Sequence, residues 1–255
     1  MGGRLEGRTA VVTGGSRGIG AAVATRLAAE GAAVVIGYQR AVEAAEEVTA
    51  RLKGQGAQAL AVCADVGDPE QIGELADRAV ETFGGLDVLA SCAGIEHFGR
   101  LEELTAAEFD RVFAVNTRGQ LFAAQQAARH MAPGGRIILT SSVSVHRAVF
   151  GHTLYAASKG AVEAMVLSLA AELGPRRITV NAVSPGGTAT DMAVEYGHHY
   201  RHPELRIPDE EWLRASSALQ RVGRPEEIAA LYAFLATEDA SYITGRVLPV
   251  DGGLF

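Results

Sequence analysis

Residues 13–20 have the sequence T-G-G-S-R-G-I-G and directly follow a short apolar run, T-A-V-V, at residues 9–12. The run predicts a buried strand, and a helix is predicted over Ile19–Glu30. Glycines at such a strand-to-helix turn let the backbone approach a phosphate group, which the N-terminus of the following helix attracts. The spacing G-x-x-x-G-x-G departs from the general dinucleotide fingerprint, G-x-G-x-x-G. A dinucleotide site and a plain tight turn therefore both fit this stretch taken alone.

Short apolar runs alternate with helical runs along the rest of the chain. Helices are predicted over Ala41–Lys53 and Pro69–Phe83, and further strands over Ala33–Ile36, Gln58–Cys63, Leu86–Leu89, Arg136–Leu139, Ile178–Val183 and Arg246–Val250. The strand runs are continuously apolar rather than alternating, which is typical of strands covered on both faces. Repeated β-α-β units of this kind predict an α/β fold. We expect residues 1–255 to form a single Rossmann-type domain, a doubly wound parallel sheet of about seven strands.

The composition limits the classes of partner. A formal net charge of −7 argues against nucleic-acid binding, which needs clustered Lys and Arg. Cys63 and Cys92 lie in apolar, strand-like contexts without C-x-x-C spacing, and we interpret them as buried thiols in a reducing compartment. The N-terminus lacks the apolar core of a signal peptide, and an apolar span of 18 residues is not expected. These features predict a cytoplasmic protein that binds neither nucleic acid nor membrane.

The predicted helix from Tyr155 to Leu173 is apolar on almost every face. A helix of this kind is usually buried on more than one side. One side can face the sheet, and the other can face either a partner subunit or the chain's own loops. The pattern therefore favours a homo-oligomer but leaves cover by loops open.

The end of the second predicted strand, I-G-Y-Q-R at residues 36–40, bears on the choice between NAD and NADP. An acid there would hydrogen-bond the ribose 2′-hydroxyl of NAD and repel the 2′-phosphate of NADP. The stretch contains no acid, and Arg17 and Arg40 can offer guanidinium groups to a phosphate. We therefore predict NADPH as the cofactor. The alternative is that both arginines are merely solvated.

Two polar residues follow predicted strands, at the sheet edge where ligands gather in such folds. Asp65 comes after the third strand, where contact with an adenine ring and capping of the next helix are both consistent with its position. Ser142 ends the fifth strand in L-T-S-S, where its hydroxyl can hold a substrate carbonyl oxygen.

Tyr155 and Lys159 lie four residues apart in Y-A-A-S-K, so a helix would place both on one face. A free tyrosine has a pKa near 10, and lowering it to about 7 requires ~4 kcal/mol. One cation at about 4 Å supplies roughly that much at an effective dielectric constant near 20. The pair can therefore act as an acid-base group, although Y-x-x-x-K alone is a weak motif.

Taken together, the motifs T-G-G-S-R-G-I-G, V-N-T-R-G (115–119), Y-A-A-S-K and S-P-G-G-T-A-T (184–190), with Ser142, resemble those of the short-chain dehydrogenase/reductase family. The resemblance covers essentially the whole chain. It implies that Tyr155 is the acid-base, that Ser142 orients the carbonyl and that Lys159 grips the nicotinamide ribose and lowers the tyrosine pKa. It also implies that Asn116 helps to hold a water in a proton relay.

The same resemblance, with the residues above, gives the predicted cofactor contacts. These are Gly14, Ser16, Arg17, Gly18, Ile19, Gly20, Arg40, Asp65, Val66, Gly94, Tyr155, Lys159, Pro185, Gly186, Thr188 and Thr190. One departure is S-C-A-G at residues 91–94, where the family usually has N-N-A-G. Gly94 can still admit the cofactor, but the usual asparagine contacts are not carried over.

The stretch E-F-D-R-V-F-A-V-N-T-R-G-Q-L-F, residues 108–122, and P-G-G-T-A-T-D-M, residues 185–192, are similar to fungal polyhydroxynaphthalene reductases and polyketide ketoreductases. The resemblance implies a substrate lid around residues 188–218, in which Tyr200 stacks on an aromatic substrate. The predicted substrate pocket comprises Ser144, His152 and Tyr200. For His152, capping of the next helix is an equally simple role.

These features predict an NADPH-dependent ketoreductase for a small carbonyl substrate of aromatic or polyketide type. A 3-oxoacyl-carrier-protein reductase, a general alcohol dehydrogenase and a non-catalytic dinucleotide sensor are the alternatives. Sugar-nucleotide epimerases share Y-x-x-x-K but typically add a C-terminal substrate domain, for which this length scarcely leaves room. His198 and His202 stand one turn apart, but without a well-spaced third ligand we predict no metal. The family resemblance favours a homotetramer.

Overall fold

Seven parallel strands form one sheet in the part of the chain that the computed structural model describes, which is residues 3–254 without the side chains of residues 209, 210 and 213. The strands are β1 (Thr9–Thr13), β2 (Ala33–Tyr38), β3 (Ala59–Cys63), β4 (Val88–Ser91), β5 (Arg136–Thr140), β6 (Thr179–Pro185) and β7 (Arg246–Val250). Their order is β3-β2-β1-β4-β5-β6-β7. The predicted doubly wound parallel sheet is thereby confirmed.

The helices are α1 (Gly18–Ala29), α2 (Val42–Gly54), α3 (Pro69–Phe83), α4 (Ala106–Phe113), α5 (Gly119–His130), α6 (Thr153–Leu173), α7 (Asp191–Tyr196), α8 (Asp209–Ser216) and α9 (Pro225–Ala236). Of these, α1, α2, α3 and α6 follow the sequence prediction closely, whereas α4, α5, α7, α8 and α9 are additional findings. A π-helical turn, Ala114–Arg118, joins α4 to α5.

The strand order places β1 beside both β2 and β4. The chain leaves β1 toward β2 on one side and returns to β4 on the other, so the two crossover helices diverge. In parallel sheets this divergence opens a crevice at the carboxyl ends of the strands, where ligands bind. The crevice here is bounded by the residues that follow Thr13 and Ser91, which are paired in the sheet register.

Successive strand residues pack into two separate hydrophobic cores, because their side chains point to opposite faces of the sheet. On one face, Val12 and Ile36 pack with residues of α1, α2 and α9. On the other face, Val11 and Leu139 pack with residues of α3, α5 and α6. Cover on both faces accounts for the continuously apolar strand sequences.

Helix α6 is more apolar than expected from the sequence analysis. Thr153–Arg176 is long and apolar enough for a membrane span by length and composition alone, a test that core helices also pass, so only the expectation that the chain has no apolar span of 18 residues is wrong. Val162 and Val166 of this helix are fully buried against the sheet, as in a core helix, while Leu167 on another side is 63% exposed. The helix thus has one face in the core and an apolar residue on the surface.

The cysteines differ from the prediction that both thiols are buried. Cys63, at the end of β3, is exposed, and Cys92, after β4, is partly buried. β3 is an edge strand of the sheet, so its last side chain lacks cover on one side. Burial raises the pKa of the Cys92 thiol to about 12, which makes it a poor nucleophile.

Gly20 shows why the turn after β1 needs glycine. A Cβ atom built on Gly20 would lie 2.1 Å from the carbonyl oxygen of Gly14, where real Cβ contacts do not occur. Gly14 itself has a φ of 65°, and a Cβ atom there would lie 2.8 Å from Cα of Ala93. The first turn of α1 and the loop after β4 therefore pack against bare backbone.

Replacement of Gly20 by alanine should lower the free energy of unfolding by about 1–3 kcal/mol, the usual cost of forcing atoms into a packed site. Gly54→Ala at the end of α2 is the matched control, since a Cβ atom there has nothing within 4 Å. The control should be neutral or stabilising by up to ~1 kcal/mol. Denaturant titration measures both variants, and wild-type stability of Gly20→Ala would contradict the close packing of this turn.

Candidate active site

The glycine turn faces the segment that follows β6. Gly18 has a φ of 54°, and a Cβ atom there would lie 3.4 Å from the Thr190 side chain. The N-cap residue of α1, Arg17, makes no side-chain capping bond. The first amides of α1 are therefore available to an anion, which the helix N-terminus favours. Ser16 and Ile19 lie in the same turn, partly buried.

Arg17, at the start of α1, and Arg40, two residues after the end of β2, are both exposed. Within residues 3–254, neither side chain forms an ion pair or hydrogen bond. Uncommitted guanidinium groups, one at the start of α1 and one just after β2, fit the recognition of a phosphate by charge and by bidentate hydrogen bonding.

Asp65 joins the ends of β2 and β3. Its Oδ2 accepts a hydrogen bond of 2.7 Å from Nε2 of Gln39, and its Oδ1 accepts one of 2.8 Å from the amide of Gly67. Asp68, not Asp65, caps α3, through a 3.0 Å bond from the amide of Glu70. The capping alternative for Asp65 is therefore wrong, and Asp65 and Val66 form the rim of the crevice.

Asn116 lies in the π-helical turn and is fully buried. Its side-chain oxygen accepts a 2.9 Å hydrogen bond from the amide of Ile95. Its Nδ2 donates to the Ile95 carbonyl at 2.9 Å and to Oγ of Ser158 at 3.1 Å. The amide thus ties the loop after β4 to α6. Short π-helical turns are frequent at functional sites.

Lys159 is buried, and its Nζ donates a 3.1 Å hydrogen bond to the carbonyl oxygen of Thr140. Burial lowers the pKa of Lys159 to about 8, against smaller raising effects from the charges of Glu96 and Cys92. A Cβ atom on Gly94 would lie 3.4 Å from both this Nζ and Oδ1 of Asn116. Gly94 therefore leaves open space directly over the lysine.

Tyr155 lies one turn before Lys159 on α6, 8% exposed, and the lysine Nζ is 5.7 Å from the centre of its ring. Burial raises the pKa of Tyr155, the charge of Glu96 raises it further, and the nearby Ser142 hydroxyl lowers it. The expected lowering of this pKa by Lys159 is therefore not found. A phenol in this state keeps its proton at neutral pH.

Ser142 and Ser144 line the same cleft from the loop after β5. Ser142 is nearly buried, and its Oγ accepts a 3.2 Å hydrogen bond from the amide of Ser144. This bond fixes the serine hydroxyl beside the phenol of Tyr155. The structure thus brings Asn116, Ser142, Tyr155 and Lys159 together at the carboxyl edge of β4 and β5.

The segment after β6 closes the other side of the crevice. Thr188 is buried and donates a 2.9 Å hydrogen bond to the carbonyl of Gly186, and Thr190 caps α7 through a 3.3 Å bond from the amide of Ala193. Pro185 ends β6, and Gly186 packs closely on Asp251. Thr190 stands opposite the glycine turn, where it faces Gly18.

Four rings form a column that ends at Tyr155. His152 stacks on Tyr155 with ring centres 4.6 Å apart, Phe98 stacks on His152 at 4.4 Å, and His199 stacks on Phe98 at 4.8 Å. Tyr200 meets His152 and Phe98 edge-on, at 5.2 and 5.4 Å. Offset stacks and edge contacts of this kind are the arrangements that aromatic rings prefer. A stack of aromatic and imidazole rings therefore forms one wall of the candidate site, next to Tyr155.

Glu96 and Phe98 belong to the site, and the sequence analysis missed both. Glu96 is buried, with Oε1 2.6 Å from Nε2 of His152, and Oε2 accepts a 2.7 Å hydrogen bond from the Tyr200 hydroxyl. His152 precedes α6 but makes no side-chain capping bond, so the capping alternative is wrong. The signal for Glu96 was an acid two residues after Gly94, at a ligand-binding sheet edge.

The histidines of the 198–202 segment contact aromatic rings. His199 packs on Phe98, while His202 meets Phe150 edge-on at 5.2 Å. Among the residues that the structure describes, no group of three or more His, Cys, Asp or Glu side chains could hold a metal ion.

The chain is similar to known proteins over nearly its whole length. A family model described as Enoyl-(Acyl carrier protein) reductase matches residues 14–255. Versicolorin reductase stcU of Emericella nidulans is 47% identical over 259 residues, which covers 99% of this chain and 97% of that protein.

Two further matches extend over nearly the whole chain. An enzyme named Probable tetrahydroxynaphthalene reductase, from Zymoseptoria tritici, is 45% identical over 98% of this chain and 95% of its own length. The crystal structure of a short chain dehydrogenase from Burkholderia cenocepacia in complex with NADP is 43% identical, with a TM-score of 0.89 and 98% of both chains covered.

Replacement of Lys159 by methionine should stabilise the fold at pH 7 by up to about 3 kcal/mol, the equivalent of its pKa shift from 10.5 to about 8. The folded state holds this proton less tightly than the unfolded state. The free energy of unfolding of the wild type should therefore rise between pH 8 and 10.5. The difference in this free energy between the wild type and Lys159→Met should shrink over the same range. The carbonyl of Thr140 keeps its 2.9 Å bond from Gln120 in the variant.

The matched control is Lys53→Met, because Lys53 is the other lysine of the chain and is exposed. It should change stability little at any pH. Thermal unfolding from pH 7 to 10.5 measures both variants. A constant difference between wild type and Lys159→Met across this range would contradict the burial of a charged lysine.

Proposed function

Because the chain belongs to the short-chain dehydrogenase/reductase family, we propose that it is an NADPH-dependent ketoreductase that reduces an aromatic or polyketide-type ketone, with Tyr155 as the proton donor. The observation that carries this proposal is the buried cluster of Asn116, Ser142, Tyr155 and Lys159 beside a flat aromatic wall. The family resemblance predicted from the motifs is confirmed by the full-length relatives.

The crevice fits a nicotinamide dinucleotide. Bare backbone at Gly14 and Gly18, together with the uncapped start of α1, suits a pyrophosphate, and Arg17 and Arg40 suit a 2′-phosphate. The space above Lys159 that Gly94 leaves open suits the nicotinamide ribose. Solved relatives whose names include NADP or NADPH support this choice of cofactor. When bound, NADPH supplies the hydride.

The protein's own part in the reaction is to hold the carbonyl and deliver a proton. Ser142 donates a hydrogen bond to the carbonyl oxygen, and the phenol of Tyr155 transfers its proton to that oxygen as negative charge develops. Tyr155 is protonated at neutral pH, as a proton donor must be. Lys159 stabilises the phenolate that remains, and Asn116 helps to hold the water through which the proton is replaced.

The substrate class follows from the column of rings that ends at Tyr155. A planar ketone can lie against this wall, with the segment 188–218 as a lid and Ser144, His152 and Tyr200 in the pocket. The names of the relatives, a versicolorin reductase and a tetrahydroxynaphthalene reductase, support a fused aromatic ketone. The name of the family model makes an acyl thioester the second candidate.

The exposed apolar residues of α5 and α6 support a homotetramer. Leu121 is 38% exposed and Leu167 is 63% exposed. Burial of such side chains between copies of the chain would remove apolar surface from water. The assembly thus accounts for the apolar surface of a helix whose other face lies in the core.

Replacement of Tyr155 by phenylalanine should lower kcat/KM for a fused aromatic ketone by roughly 100- to 10,000-fold, since general acid catalysis contributes that much. NADPH oxidation is followed by absorbance with an aromatic ketone, a 3-oxoacyl thioester and a simple alcohol in reverse. Tyr242→Phe is the matched control, because the Tyr242 side chain is fully exposed and distant in sequence from Tyr155. It should retain wild-type activity.

Turnover of the thioester but not of the aromatic ketone would favour the second candidate over a polyketide substrate. If the protein binds NADPH but turns over none of the compounds, the proposal that it is an enzyme is contradicted and a dinucleotide sensor is favoured. Full activity in Tyr155→Phe would exclude this residue as proton donor.

The arginines should set the preference between cofactors. Arg17→Ala and Arg40→Ala should each raise KM for NADPH by about 10- to 100-fold, because a charge-assisted hydrogen bond to phosphate is worth about 1.5–3 kcal/mol. KM for NADH should change little. Arg78→Ala on α3 is the control, since Arg78 is exposed and pairs with Glu81. Equal losses with both dinucleotides would contradict a role in phosphate recognition.

A further inference from the structure

Glu96 is a buried carboxylate for which the proposed chemistry has no step. Its side chain is 1% exposed. It receives three contacts: Nε2 of His152 at 2.6 Å and the amide of His97 at 3.0 Å on Oε1, and the hydroxyl of Tyr200 at 2.7 Å on Oε2. A buried carboxylate is costly unless it is paired and hydrogen-bonded, so this arrangement is specific to its partners.

The three partners come from different parts of the fold. Glu96 and His97 lie in the loop after β4, His152 immediately precedes α6, and Tyr200 ends the short helical turn after α7. The residues of the loop and of α6 are anchored to the sheet edge by Asn116. The bond to Tyr200 therefore ties the segment 191–200 to the rigid part of the site.

The bond to His152 fixes how that ring meets the proton donor. A hydrogen bond of 2.6 Å joins Nε2 of His152 to Oε1 of Glu96. The rings of His152 and Tyr155 lie 13° from parallel, face to face. Stacked faces do not bring a ring nitrogen to the phenol hydroxyl in its hydrogen-bonding plane, so a proton relay from Glu96 through His152 to Tyr155 is not formed.

We infer that Glu96 is a positioning residue for the proposed reduction, which latches Tyr200 and the segment 191–200 over the site and sets the His152 ring against Tyr155. The inference rests on the proposed function and adds a residue that acts through two others. Its contribution is the closed, preorganised shape of the aromatic wall rather than a proton. Preorganisation of this kind raises kcat/KM without contact between the positioning residue and the reacting atoms.

Glu96→Gln keeps the shape of the side chain but not its two acceptors. The amide oxygen can accept from Tyr200 or from His152, and its NH₂ group then faces the other donor. Loss of a hydrogen bond to a charged group corresponds to roughly 10- to 100-fold, and we expect that fall in kcat/KM for the ketone, mainly through KM. NADPH affinity should stay within about 2-fold, because the cofactor crevice is untouched.

The second measurement is hydrogen exchange of the backbone amides in residues 191–200, which requires no turnover. We expect faster exchange there in Glu96→Gln and also in Tyr200→Phe, which removes the latch from the other side. The double variant should exchange no faster than either single variant, since the two changes break the same bond. Glu30→Gln is the matched control, because Glu30 is a paired, mostly buried carboxylate bound to Arg4 and Arg26, far from the site.

The outcomes separate this inference from the function on which it rests. If amide hydrogen exchange in residues 191–200 is unchanged in Tyr200→Phe, the proposed latch is contradicted, even if Glu96→Gln fails to fold. The same acceleration in Glu30→Gln also overturns it, by showing a general loss of stability. Faster exchange with unaltered KM overturns the positioning role. Wild-type protein that reduces no ketone contradicts the proposed function instead, while exchange still decides the latch.

Discussion

The close approach of the glycine turn after β1 to the loop after β4 is the constraint on which the site depends. Gly14 lies against the backbone of Ala93, whose amide donates a 3.2 Å hydrogen bond to Oγ1 of Thr13. Because β1 and β4 are neighbours in a parallel sheet, this contact fixes where both carboxyl ends open into the crevice. Gly94, Ile95 and Glu96 directly follow Ala93 in the chain. The same backbone contact therefore positions both the crevice and the aromatic wall.

Buried polar groups then fix the geometry at a cost in stability. The carbonyl of Thr140 accepts hydrogen bonds from both Lys159 and Gln120, and Asn116 spans from Ile95 to Ser158. The side chains of Asn116, Gln120 and Lys159 are all hydrogen-bonded, which rigidifies this polar network, but the lysine still loses much of its hydration. Sites that hold charges in dry surroundings commonly trade stability for function in this way.

The sequence was sufficient for the strands and for the residues at their carboxyl ends. Short apolar runs between helical segments predicted all seven strands to within a few residues. Helices such as α5 and α9 were not assigned, because their alanine-rich sequences lack a clear apolar stripe and tertiary packing defines them. The site residues with motif spacing, such as Tyr155 and Lys159, were found; their arrangement around Ser142 required the fold.

What the sequence could not provide was the surroundings of these residues. Spacing alone placed a cation beside Tyr155 and so predicted a lowered pKa, whereas burial and Glu96 raise it. Glu96, Phe98 and Tyr200 meet only in three dimensions, since Glu96 and Tyr200 are 104 positions apart. Cys63 similarly depends on β3 being the edge strand, which the strand order rather than the local sequence decides.

The π-helical turn at Ala114–Arg118 constrains the length of this segment as well as its residues. One extra residue in the turn rotates α5 by about 100° relative to an uninterrupted helix. Val112 on α4 and Ala123 and Ala127 on α5 are all buried with this offset. Deletion of a single residue here would turn one of these faces to solvent and move Asn116 away from the sheet edge. The rotation of α5 relative to α4 therefore helps to position Asn116.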